Sequence, residues 1–143
     1  MPLQLDIVSP ERELFTGEVE MVLAPGADGQ LGILPQHQPL MTVLADGILL
    51  ARRGEEELIF AIHGGYLQVL PDRVIVLADV GEQADEIDIE RAEEARRRAE
   101  ELLHRQPPPE ERAVAMRALR RSLVRLRVAR RTRTRRPEQR QEM

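Results

Sequence analysis

Residues 88–136 read DIERAEEARRRAEELLHRQPPPEERAVAMRALRRSLVRLRVARRTRTRR. Between Asp88 and Arg105 the alanines Ala92, Ala95 and Ala99 and then Leu102 recur at spacings of three, four and three, the period of one helix face. Pro107, Pro108 and Pro109 end that helix, because consecutive prolines cannot continue its hydrogen-bond ladder. Met116, Leu119, Leu123 and Leu126 predict an apolar stripe on a second helix, opened by Glu110 and Glu111, whose charges suit a helix N-terminus. Two helices, at about 88–105 and 109–131, joined by so short a connection form an antiparallel hairpin. The alanine stripe permits close approach and buries little area, so the hairpin is expected to be weakly fixed. Glu93–Arg97, Glu94–Arg98 and Glu101–Arg105 are i,i+4 pairs in the favourable order, each worth roughly 0.2–0.5 kcal/mol. Residues 134–143 show no apolar period and are expected to form a mobile tail.

Working back toward the N-terminus, the period changes from helical to alternating. Leu3–Val8, Glu18–Ala24, Leu31–Leu34, Leu40–Leu44, Ile48–Arg52, Glu57–His63, Tyr66–Leu70 and Arg73–Asp79 are short extended runs. Turn-forming residues separate them, including Ser9-Pro10, Pro25-Gly26, Asp46-Gly47, Arg53-Gly54 and Pro71-Asp72. Short strands at such intervals predict an all-β sandwich. The chain is therefore expected to be α+β, with an antiparallel β-sandwich over residues 1–84 and the helical hairpin over 85–133.

The net charge of −4 conceals a division between these parts. Residues 1–84 hold 4 arginines and 13 acids, or −9, whereas residues 85–143 hold 17 arginines and 12 acids, or +5. Every basic residue is arginine, the better bidentate partner of carboxylate and phosphate. The chain has no cysteine, which excludes disulfides and thiol catalysis. No apolar run reaches the roughly 18 residues of a membrane span, and no secretory leader opens the sequence, so the chain is expected to remain where it is made. No phosphate loop, Ser/His/Asp set or paired carboxylates can be placed, so no catalytic residue is assigned and the chain is not expected to be an enzyme by itself. A lone His37, without ligand-spaced partners, does not make a metal site.

Several stretches carry a resemblance. They are Leu5-Asp6-Ile7-Val8-Ser9-Pro10, the run GQLGILPQHQPL over Gly29–Leu40, Gly64-Gly65-Tyr66-Leu67 with Val76-Leu77-Ala78-Asp79, and IDIERAEEA over Ile87–Ala95. From Leu3 to about Arg130 the chain resembles the epsilon subunit of bacterial F-type ATP synthases, delta in mitochondrial naming. The resemblance implies a non-catalytic central-stalk subunit, peripheral on the cytoplasmic face of the cell membrane. Its implied partners are the gamma subunit, the membrane c-subunit ring and the catalytic alpha/beta hexamer. It implies a sandwich that couples the ring to gamma, and a hairpin that inhibits ATP hydrolysis when extended toward the catalytic head.

By the same resemblance Gly29, Gln30, Leu31, Gly32 and His37 lie toward the ring and gamma, Gln30 standing where similar proteins often carry an acid. Arg117, Arg120, Arg127, Arg130 and Arg131 face the head. Glu82, Asp88, Arg91, Ala92, Arg121 and Arg125 match positions that hold regulatory ATP in those members that bind it; no other cofactor is implied. Folding the hairpin about its prolines also brings Arg91 level with about residue 124, beside Arg121 and Arg125, where an anion would relieve their repulsion. Taken alone, Asp88 reads as a helix cap, a place that Asp85 could also fill. The rival reading is a nucleic-acid-binding arm, since the arginines suit a phosphate backbone. The acidic sandwich and the scarcity of aromatics, limited to Phe15, Phe60 and Tyr66, disfavour it, and no nucleic-acid partner is expected.

Overall fold

The computed structural model describes the backbone of residues 2–141 and the side chains of residues 2–131. Two compact units are present, residues 1–83 and 84–143.

The first unit holds eight strands: β1 (Leu3–Val8), β2 (Glu13–Val19), β3 (Met21–Gly26), β4 (Gly29–Ile33), β5 (Leu40–Leu44), β6 (Gly47–Arg53), β7 (Glu56–Leu70) and β8 (Arg73–Gln83). They form the expected sandwich, with strand order β2-β1-β8-β7-β5-β3-β4 and β6 pairing with both β3 and β7. All pairings are antiparallel except that of β1 with β8, which is parallel and joins the two ends of the unit. Alternation places Leu3, Leu5 and Ile7 of β1 and Val74, Val76 and Ala78 of β8 in one core with Leu49, Ala51, Phe60, Ile62, Leu67 and Val69. Each large aliphatic side chain removed from water there contributes roughly 1.5–3 kcal/mol.

Two expectations are corrected. The run Glu18–Ala24 is not one strand: it breaks at Glu20, and its first part belongs to β2, which the sequence reading missed. Conversely, Glu57–His63 and Tyr66–Leu70 are one strand, β7, running through Gly64-Gly65. Two glycines without side chains signal a break, yet here they bend a continuous strand. Residues 56–62 pair with β6 and residues 65–69 with β5, so one strand serves two layers. Gly64 and Gly65 adopt φ of 73° and 122°, which other residues rarely reach. A Cβ on Gly65 would also lie 2.9 Å from Ala78 Cα on β8.

The second unit begins with a 3₁₀ turn, Ala84–Glu86, followed by α1 (Ile89–His104) and α2 (Pro109–Gln141). Asp88 caps α1, its carboxylate accepting a hydrogen bond from the Arg91 backbone N–H at 3.2 Å. The connection ends as the prolines require, with Gln106 at φ 52°. The helix expected to stop near 131 runs on in backbone to Gln141. The tail expected over 134–143 is thus helical in backbone to Gln141, and its last two residues lie outside the described ones.

The alanine seam of α1 is present, with Ala92 and Ala99 buried, and the α2 stripe holds at Leu126 but not at Leu123. Leu123 is exposed and Met116 and Leu119 only half-buried, while Ala115, Ser122, Val124, Leu126, Val128 and Ala129 are buried. Ala95, Ala99 and Leu102 of α1 and Val114, Ala115 and Ala118 of α2 line an open apolar groove. Small residues line much of that groove, while farther along α2 the larger Val124, Leu126 and Val128 are buried. Ser122 is buried too: its hydroxyl donates to the Ala118 and Leu119 carbonyls, each at 2.9 Å, and needs no further partner.

Candidate functional site

The sandwich carries an apolar surface that strand alternation alone does not single out. β5 reads Leu-Met-Thr-Val-Leu, apolar on both faces, so one set of its large side chains must point outward. Met41 is 66% exposed, Val43 50%, Tyr66 57% and Leu77 52%. Register assembles them: Val43 lies opposite Tyr66, and Tyr66 opposite Leu77, making one row across β5, β7 and β8. The next row holds Met41, Gln68 and Ile75, and both rows continue onto β1 at Val8 and Asp6. A contiguous apolar face of this kind is uncommon on a monomer and marks an interaction surface.

A polar cluster borders that face. The Asp6 carboxylate accepts hydrogen bonds from the Thr16 hydroxyl, from Arg73 Nε at 2.9 Å and from Gln4 Nε2 at 3.2 Å, and it pairs with the other Arg73 nitrogen at 2.7 Å. The Thr16 hydrogen bond above all, and then Arg73 and Gln4, hold its carboxyl below the usual carboxylate range against the opposing effect of burial.

Gly29, Gln30, Leu31 and Gly32 all fall on β4, which pairs with β3 from Gly26↔Gly29 to Val22↔Ile33. His37 lies apart from them in the loop after β4, with its Nδ1 2.8 Å from the Gln38 carbonyl. That loop is fixed to the β7–β8 turn by a hydrogen bond of 2.6 Å from the Gln36 N–H to the Pro71 carbonyl.

Of the six residues matched to a nucleotide site, five lie in the helical unit. Asp88 is the α1 cap, Arg91 is exposed on the first turn, and Ala92 is buried behind it. Arg121 and Arg125 are half-buried one turn apart on α2, and Arg121 Nε is buried without a hydrogen-bond partner. Glu82 belongs to β8 of the sandwich, where its carboxylate lies 3.4 Å from Nε2 of the fully buried His63. This His63–Glu82 neighbourhood had no signal in the sequence, because the two are 19 positions apart and meet only through the β7–β8 ladder.

Arg117, Arg120, Arg127, Arg130 and Arg131 are all exposed on α2. Arg130 also reaches Glu93 on α1 at 3.5 Å, and Glu93 accepts two hydrogen bonds from Arg96, at 2.8 and 3.1 Å. These contacts, Arg96 first, hold the Glu93 carboxyl low. Of the expected α1 pairs Glu94–Arg98 forms, at 2.5 Å, while Arg96 bridges Glu93 and Glu100. Among the described residues no three His, Asp or Glu side chains gather to hold a metal, and no helix is long and apolar enough to cross a membrane.

Both units match known families. A family model described as "ATP synthase, Delta/Epsilon chain, beta-sandwich domain" covers residues 2–84, and one described as "ATP synthase, Delta/Epsilon chain, long alpha-helix domain" covers residues 85–130. The chain belongs to the ATP synthase delta/epsilon family. Relatives agree across nearly their full length. An ATP synthase epsilon chain of Herpetosiphon aurantiacus is 49% identical over 135 residues, covering 94% of this chain and 99% of that one. One from Dehalococcoides mccartyi is 52% identical over 128 residues, covering 89% and 91%. A chain in the structure of the Euglena gracilis mitochondrial ATP synthase (OSCP/F1/c-ring, rotational state 1) shares the fold, with a TM-score of 0.75 at 22% identity over 83% of this chain and 76% of that one. The boundary between the two matched domains, at 84/85, falls one residue after β8 ends at Gln83.

Proposed function

We propose that this chain is a non-catalytic central-stalk subunit of a rotary ATP synthase, in which the sandwich couples the membrane ring to gamma and the hairpin restrains ATP hydrolysis. The observation that carries the reading is the chain's division into two chemically opposite units, each matching one domain of the delta/epsilon family. An acidic sandwich with an outward apolar face is suited to permanent docking. A hairpin seamed by alanines and backed by exposed arginines is suited to reversible docking, since its small seam buries little area and its charges act in concert only against an acidic surface.

In this reading the row Val43, Tyr66 and Leu77, with Met41 beside it, docks against gamma. Gly29, Gln30, Leu31, Gly32 and His37 lie toward the ring. Arg117, Arg120, Arg127, Arg130 and Arg131 engage the catalytic head when the hairpin extends. The subunit is peripheral on the cytoplasmic face of the membrane through its complex. ATP, held by Asp88, Arg91, Ala92, Arg121 and Arg125, acts as a regulatory ligand that favours the folded hairpin, because a ligand shifts the equilibrium toward the state it binds better. The buried, unpaired Arg121 Nε supports an anion there.

An affinity-tagged copy expressed in its host should bring down gamma and the catalytic hexamer, and Leu77→Asp should sharply reduce their recovery while leaving the free chain folded. Recovery of neither partner with the unmodified chain would refute the assignment. Full recovery with Leu77→Asp would refute the docking face.

A further inference from the structure

The two ends of the sheet differ in kind. β2, at one end, carries Glu13 and Glu18, and its Leu14 carbonyl accepts a hydrogen bond from the Gln83 side chain at 2.9 Å. Its Phe15 ring lies under the Arg53 guanidinium, 5.9 Å from the centroid. Charges and side-chain caps of this sort keep a strand edge from pairing with other chains. β4, at the opposite end, has none of them. It reads Gly-Gln-Leu-Gly-Ile, without charge, proline or bulge, and β3 is its one strand neighbour among the described residues. Its glycines leave the backbone open: a Cβ on Gly29 would meet nothing within 4 Å, and one on Gly32 only Leu23 Cδ2, at 3.5 Å.

Charge limits what fits there. Asp28 is exposed immediately before β4. With −9 on residues 1–84, a second copy of the unit would be repelled. A basic strand would be drawn in.

We propose that β4 is a strand-addition site, completed by an extended segment of a partner subunit that bears arginine or lysine near Asp28. Backbone hydrogen bonds supply the affinity, and the glycines admit the incoming main chain at close range. This rests on the rotor reading above and assigns a mode of contact to residues that the reading places toward the ring.

Hydrogen–deuterium exchange on the full chain, alone and within the assembled enzyme, tests it together with two substitutions. Amides of Gly29–Ile33 that point away from β3 should exchange roughly 100-fold more slowly in the assembly. Gln30→Lys, which places a cation on the edge, should weaken incorporation about tenfold relative to Gln30→Glu. If the chain incorporates while these amides exchange as in the free protein, or if the two variants incorporate equally, strand addition is overturned and the rotor reading stands. If the unmodified chain does not incorporate at all, both are overturned.

Discussion

Replacing Gly65 by alanine tests how β7 serves two layers, and its effect divides into two parts. Residue 65 has φ of 122°, and holding a non-glycine residue in so sparsely populated a region costs about 1–3 kcal/mol. The added Cβ would stand 2.9 Å from Ala78 Cα and 3.0 Å from the Leu77 carbonyl carbon, both backbone atoms of a paired strand, which adds about 1–3 kcal/mol of overpacking. The total, about 2–6 kcal/mol, is a large part of the stability of a unit this size, about 4–12 kcal/mol at 0.05–0.15 kcal/mol per residue. Gly29→Ala separates the parts, because φ is 131° there but nothing stands within 4 Å, so only the backbone part, about 1–3 kcal/mol, should appear. Gly32→Ala, with neither feature, should be neutral or stabilise by up to about 1 kcal/mol. The assay is urea unfolding of the full chain, followed by the fluorescence of Tyr66, which reports on the sandwich because the chain has no other tyrosine and no tryptophan. With m near 1 kcal/mol/M, Gly65→Ala should lower the midpoint by roughly 2 M or more. A Gly65→Ala midpoint equal to or above that of Gly29→Ala would refute the packing argument.

Other consequences follow from single contacts. Asp6 titrates below its ordinary value when folded, so it contributes stability that is present above its unfolded pKa of about 3.9 and lost as pH falls through the folded value. Thr16→Val, which removes the main cause of the depression, should therefore destabilise the sandwich at neutral pH and not at strongly acid pH, as paired urea titrations would show. Ser122→Ala should leave helix stability unchanged or raise it by about 0.5 kcal/mol, since the buried hydroxyl only back-bonds to its own helix; a loss above 1 kcal/mol by circular dichroism would contradict this. Calorimetric titration with ATP should show saturable binding that Arg91→Ala and Arg125→Ala remove, and no heat at millimolar ATP would end the nucleotide proposal. Truncation after Pro109 should raise ATP hydrolysis by the assembled enzyme, and unchanged hydrolysis would count against a brake.

The sequence by itself determined the division of the chain, because periodicity and charge are local properties: alternation ends at β8, the helical period begins after Asp88, and the prolines at 107–109 stop α1 wherever the rest of the chain lies. It also narrowed the helix cap to Asp85 or Asp88, since a cap needs only a carboxylate shortly before an unpaired N–H, and the structure selected Asp88. Tertiary structure decided what depends on residues far apart. Leu5 and Leu77 are equally apolar to the eye, yet one is in the core and the other on the surface, and only strand register separates them. On α2 Leu126 is buried with Ala115, Val124, Val128 and Ala129 while Leu123 is exposed, because burial depends on what packs against each position, which a hydrophobic period does not measure. Gly64-Gly65 reads as a stop and acts as a bend, since the ladders to β5, β6 and β8 supply the hydrogen bonds that carry the strand through it.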